Sequence, residues 1–187
     1  MNPETLKNQI WTTRISRVNA ERRLLMKEDF IQGINIYYSC ILTIFSILSL
    51  VKPDNSSQLS LISTYMSVCL LIAILYTNSL RYREHARDYR TNYTALQKLE
   101  FRLNKPSITF DEMEAINDEY CTLLDGAANH IQFDYYCTVA QSRGQYRTDR
   151  WKGLVKVKYY WGVSWRVAIM LSIIAFPVGV YIMCGVF

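Results

Sequence analysis

The spacing of apolar residues changes abruptly along this chain. Over residues 3–29 they recur at roughly helical intervals, as Ile10, Trp11, Ile15, Val18, Leu24 and Leu25, with Arg and Lys between them. That spacing predicts an amphipathic helix, opened by Pro3 and Glu4. Three stretches then lack any charged residue: 30–51, 55–80 and 167–187. Each is about as long as the roughly 20 residues a helix needs to cross a bilayer core. A helix facing water carries a polar stripe along its length, and these stretches do not. The pattern predicts an all-α integral membrane protein, with a transmembrane helical hairpin, long cytosolic helices and a third, C-terminal transmembrane helix.

The remaining elements follow from local signals. Lys52, Pro53, Asp54, Asn55, Ser56 and Ser57 read as the turn between the first two spans, the second starting near Gln58. A polar helix is expected to run straight on from the second span to about Leu103, with Tyr82, Tyr89, Tyr93, Leu96, Leu99 and Leu103 as its apolar stripe. Asn104, Lys105, Pro106 and Ser107 break it. Thr109 and Glu112 then form a capping-box pattern that opens a helix expected over 110–141, bent near Gly126. Residues 142–150 read as a loop. Trp151, Tyr159, Tyr160, Trp161 and Trp165 stand beside Lys and Arg, the composition of a membrane-interface belt. Four regions result: 1–29, an amphipathic cytosolic or interfacial helix; 30–80, the hairpin; 81–150, cytosolic helices; and 151–187, the belt with the third span. No period-2 alternation long enough for a sheet and no internal repeat is seen.

Charge adds the orientation. The 187 residues hold 21 Lys and Arg against 16 Asp and Glu, and the placement of these charges matters more than the net +5. Arg14, Arg17, Arg22, Arg23 and Lys27 precede the first span; Arg81, Arg83, Arg87 and Arg90 follow the second; Lys152, Lys156, Lys158 and Arg166 precede the third. The positive-inside rule then puts the N-terminus in the cytosol and the C-terminus outside. Nucleic acid is the rival explanation of basic clusters. Here each cluster abuts a span, so no nucleic-acid partner is expected. A mean hydropathy of -0.01 looks soluble only because it averages apolar spans against a polar remainder. Cys40, Cys69 and Cys184 fall inside apolar stretches, and no CxxC occurs. Neither disulfides nor a zinc site are expected. No signal peptide is visible, since the first apolar run lacks a small-residue cleavage site.

Within the spans, the polar residues are patterned. Asn35, Ser39, Thr43, Ser46 and Ser49 fall at steps of 4, 4, 3 and 3 and share one helical face. Such a face either packs against another helix or lines a water-filled path assembled from several copies; the residues alone favour packing. The absence of an ionisable residue weighs against a transporter or proton pump. In the third span Ser164, Ala168, Ser172, Ala175 and Gly179 form a small-residue face suited to close helix contact within or between subunits. Pro177 is expected to kink that helix. No nucleophile-base-acid trio, glycine-rich phosphate loop or metal cluster appears, so neither an enzyme nor a cofactor is expected. His130 and Asp134 lie one turn apart, and a structural hydrogen bond between packed helices is preferred for them over a pH-sensitive pair.

The chain also resembles a known family. The matching pieces are Trp11-Thr12-Thr13-Arg14 leading to Ala20-Glu21-Arg22-Arg23-Leu24, the span hairpin, the basic helix with Ala86, then Tyr120, Leu124, Asn129-His130 and Asp134-Tyr135. Together, over roughly residues 8–140, they resemble the SLATT proteins, two-transmembrane effectors that associate with SLOG domains and nucleotide-making synthases. The resemblance implies a bacterial antiphage effector that oligomerises in the inner membrane and permeabilises it. It implies a cyclic nucleotide or nucleotide-derived ligand made by a separate enzyme. Cytosolic contact candidates are then Arg14, Arg22, Arg23, Asn129, His130, Asp134 and Tyr135, although contact of the arginines with lipid headgroups and helix partners is the preferred reading. A non-conducting membrane scaffold that recruits a partner through its cytosolic helices is the alternative. The third span departs from a two-span effector.

Overall fold

The computed structural model of the protein describes residues 3–51, 56–105, 108–125, 131–141 and 152–183. Its elements are α1 (Pro3–Val51), α2 (Ser56–Ser79), α3 (Tyr82–Leu103), α4 (Phe110–Asp125), α5 (Gln132–Gln141) and α6 (Lys152–Met183). No strand occurs among the described residues. They divide into two compact units. One holds residues 1–26 and 82–162, the other 27–81 and 163–187.

The first unit is a helical domain with an ordinary core. Leu6 and Ile10 of α1, Leu96 and Leu99 of α3, and Met113, Ile116 and Tyr120 of α4 form one buried cluster. Ala20 and Leu24 of α1 meet Ala86 and Tyr89 of α3 in a second. The leucines and isoleucines of the first cluster (Leu6, Ile10, Leu96, Leu99 and Ile116) are 0–2% exposed, and each contributes about 1.5–3 kcal/mol relative to exposure. The amphipathic segment of α1 is therefore a core helix. Its buried face matches the expected one only in part: Ile10 and Leu24 are buried, but Trp11, Ile15 and Val18 are only half-buried and Leu25 is exposed, whereas Ser16, Arg17 and Asn19 are buried.

Two expected continuous helices are broken. The second span does not run straight into α3: Arg81 sits at a φ of 46° between them. This left-handed conformation ends a helix, and the N–H groups of Leu80 and Arg81 turn to the carbonyls of Thr77 and Asn78, at 3.2 and 3.4 Å. The helix expected over 110–141 is two helices, α4 and α5. Asp134 marks the second start: its Oδ2 accepts the Ile131 N–H at 3.2 Å, and its own N–H bonds the Ile131 carbonyl at 2.9 Å. The expected bend near Gly126, the 142–150 loop and residues 52–55 of the turn lie outside the described residues. The capping box at α4 forms, with Thr109 N–H on Glu112 at 3.1 Å and Glu112 N–H on Thr109 Oγ1 at 3.3 Å. Those bonds favour the charged carboxylate and hold Glu112 below its usual titration range.

The second unit holds all three uncharged apolar stretches. Three helices are long and apolar enough to cross a membrane, and only 6% of each apolar window is buried. Leu50, Leu61 and Leu71 are 84%, 73% and 57% exposed, far more apolar surface than water tolerates. Within this unit α1 and α6 meet through hydroxyls. Tyr38 donates to the Ile173 carbonyl at 2.7 Å and Tyr37 to the Ile174 carbonyl at 3.0 Å. The helix α6 continues through Pro177. Proline has no N–H, so the carbonyl four residues earlier, that of Ile173, loses its helical donor. Tyr38 replaces that donor in a setting where an unmet carbonyl would cost several kcal/mol.

Candidate functional site

Two constellations carry the polar chemistry. The first is the face of α1 within its apolar half. Ser39, Thr43 and Ser46 are exposed, and Asn35 and Ser49 half-buried. Each hydroxyl turns back on its own helix: Ser39 to the Asn35 carbonyl at 2.8 Å, Thr43 to Ser39 at 2.9 Å, Ser46 to Leu42 at 2.9 Å and Ser49 to Ser46 at 2.8 Å. The stripe thus reaches out to no other helix of the monomer through these hydroxyl protons. Ser63, Thr64 and Ser67 on α2 do the same. The small-residue face of α6 is equally open. Ser164, Ala168, Ser172, Ala175 and Gly179 are all exposed, a Cβ built at Gly179 would meet nothing within 4 Å, and Ser172 bonds the Ala168 carbonyl of its own helix at 2.9 Å. α6 meets α1 instead through the carbonyls of Ile173 and Ile174.

The second constellation is a seam of arginines along the other half of α1. Arg14 Nε lies 2.8 Å from Glu100 Oε2 on α3, an ion pair without an aligned hydrogen bond from that nitrogen. Arg23 forms a two-pronged fork on Asp134 of α5, Nε to Oδ1 at 2.8 Å and Nη2 to Oδ2 at 3.0 Å. Asp134 is 1% exposed. Its place in the first turn of α5 adds the favourable end of that helix's dipole. Thr138, one turn on, donates to the Asp134 carbonyl at 3.0 Å. Its oxygen then accepts Asn19 Nδ2 at 3.0 Å and lies 3.2 Å from Ser16 Oγ.

Arg17 is the residue whose importance the periodicity hides. It is 1% exposed, and burial pushes its pKa down against the raising influence of Tyr120 and Tyr89. Its Nη1 donates to the Leu123 carbonyl at 3.2 Å, and Asn92 Nδ2 donates to the same oxygen at 2.9 Å. Leu123 lies in the last turn of α4, where carbonyls have no helical donor. A cation there also meets the negative end of the helix dipole. Arg17 and Asn92 therefore cap α4 from α1 and α3.

Of the residues expected to meet a signal, Arg14, Arg23 and Asp134 are engaged with protein partners, as described. Arg22 is exposed on α1. Tyr135 is 38% exposed on α5, its ring 6.4 Å from that of Tyr136. Asn129 and His130 lie outside the described residues. Among the described residues no group of three His, Cys, Asp or Glu side chains could hold a metal.

An all-helical chain with three apolar, lipid-length helices is an all-α membrane protein. More particularly, the chain belongs to the SMODS and SLOG-associating 2TM effector domain family 5, whose model matches residues 2–183. That match takes in α6, so the third apolar helix is part of the matched region although the family is described by two spans. No curated protein and no solved structure matches the chain.

Proposed function

We propose that this protein is a bacterial antiphage effector that oligomerises in the inner membrane and permeabilises it when a partner enzyme supplies a nucleotide-type signal. The observation that carries the reading is the open hydroxyl face of α1. A stripe of five polar residues on a span must face protein or water, and in the monomer it is mostly exposed. Several copies are needed, because three helices cannot enclose an aqueous path. The exposed small-residue face of α6 supplies a surface on which copies approach closely. The N-terminus lies in the cytosol and the C-terminus outside, by the distribution of Lys and Arg.

The test is a membrane-potential dye assay in bacteria, with the protein under an inducible promoter, alone and beside a candidate nucleotide synthase. Synthase-dependent depolarisation is expected. Ser39→Leu with Thr43→Leu is expected to abolish it while membrane insertion persists. Depolarisation by the inserted double variant would remove α1 from the path. No depolarisation in any arm would favour a non-conducting scaffold.

A further inference from the structure

The helical unit turns opposite charges outward on two of its helices. On α3, Arg83, Arg87, Arg90 and Lys98 are exposed. At about 100° per residue they share an arc of about 80°. That arc holds no carboxylate; its other members are Thr94 and Phe101. Arg90 reaches Glu21 of α1 at 3.1 Å, yet its side chain stays 68% exposed. On α4, Asp111, Glu114, Asp118 and Asp125 are exposed and share an arc of about 60°, away from the buried Met113, Ile116 and Tyr120. No Lys or Arg occurs on α4, and these four carboxylates form no ion pair among the described residues. Like charges one turn apart weaken each helix. Two charges also oppose the helix dipole: Arg83 lies in the first turn of α3 and Asp125 in the last turn of α4.

The two faces match in length and order. Within one chain α3 and α4 lie antiparallel, since Arg102 bonds Glu119 and Asn92 bonds the Leu123 carbonyl. With α4 of a second copy laid antiparallel on the outer face of α3, Lys98 meets Asp111. Arg90 and Arg83 then follow at about 12 and 22.5 Å, and Asp118 and Asp125 at about 10.5 and 21 Å. Arg83 and Asp125, each set against its own helix dipole, fall together. Beyond the other end Phe101 approaches Phe110. These rings are 66% and 69% exposed, and an aromatic pair gives such a contact an apolar anchor.

We infer that copies of this chain join head to tail, the acidic face of α4 on one copy seated on the basic face of α3 on the next. The two faces differ, so the contact is heterologous and each copy uses both. The inference rests on the proposed oligomerisation and not on permeabilisation. It adds a contact in the helical unit to the one proposed on α6.

The test is a disulfide trap in membranes holding the full-length chain. Arg87 follows Lys98 at about 16.5 Å and Cys121 follows Asp111 at about 15 Å, so Arg87→Cys sets a thiol opposite the exposed native Cys121 of the next copy. Oxidation with copper phenanthroline is expected to give a ladder of linked chains that Cys121→Ser removes. Glu114→Arg with Asp118→Arg should weaken the ladder about tenfold or more, because like charges then face each other. Adding Thr94→Glu with Lys98→Glu should restore it, which a misfolded variant could not do. The inference is overturned by no ladder, by a ladder that survives Cys121→Ser or the arginine pair, or by no recovery in the fourfold variant. Copies that still co-purify without a ladder would overturn this contact and leave oligomerisation standing. A ladder in cells that keep their membrane potential would support the contact and count against permeabilisation alone.

Discussion

Arg23 and Asp134 illustrate how residue-scale chemistry holds the helical unit together. Their fork joins helices whose members are 111 residues apart in sequence, and Asp134 is 1% exposed. Removing one partner leaves an uncompensated buried charge, which costs about 3–5 kcal/mol. Arg23→Met should therefore lower unfolding stability by that order in a denaturant titration of the solubilised protein. Arg23→Met with Asp134→Leu should recover most of the loss, because an apolar pair can replace a buried ion pair at little cost. Additive losses would mean that the two residues act separately. This pair was half legible from sequence. Asp134 stands out beside His130, but its partner lies on another helix, and no local spacing reveals that. Arg17 was less legible still. Its charge places it with the basic cluster before the first span, and only the end of α4 explains why it is buried. Asn92 offered no signal at all, being a polar residue on a polar helix.

At the scale of elements, the apolar stretches and the Thr109–Glu112 box were readable because each depends on contiguous sequence. The break at Arg81 was not. A left-handed residue is usually announced by glycine or asparagine, and arginine hides it. The pairing of Tyr38 with Pro177 was half announced, since a proline within a span always frees a carbonyl one turn earlier. Which side chain meets that carbonyl is a matter of helix packing. Tyr38→Phe should lower the thermal midpoint in micelles, reflecting a loss of about 1 kcal/mol. Pro177→Ala restores the missing N–H, so Tyr38→Phe on that background should cost much less. An equal cost on both backgrounds would show that the tyrosine does not serve the proline. Gly162 has a similarly local reason: a Cβ there would come 3.1 Å from Phe133 Cε2, and Phe133 stacks on Tyr159 at 5.7 Å between ring centroids.

For the whole molecule, the described chain leaves its spans almost bare, with 6% of each apolar window buried. Lipid can cover leucine, but it gives small residues little to pack against. The face at Ala168 and Ala175 is where a second copy would fit. Ala168→Leu with Ala175→Leu should shift cross-linked species in membranes towards monomer, whereas a matched pair at Ile169 and Phe176 should not. An unchanged ladder with the first pair would place the contact elsewhere. In the assembly proposed above, copy number would be set by a surface whose partner is another chain, which neither the sequence nor a single chain contains.

The hydroxyls of α1 have a final consequence. Ser39, Thr43, Ser46 and Ser49 each give their proton to a carbonyl of their own helix. What they turn outward is oxygen lone pairs, since a hydroxyl has one proton and two acceptor sites. A path lined by repeated copies of this face would offer a permeating ion partial negative charge at successive levels. It would ease the dehydration of potassium or sodium and give chloride little in exchange for its water.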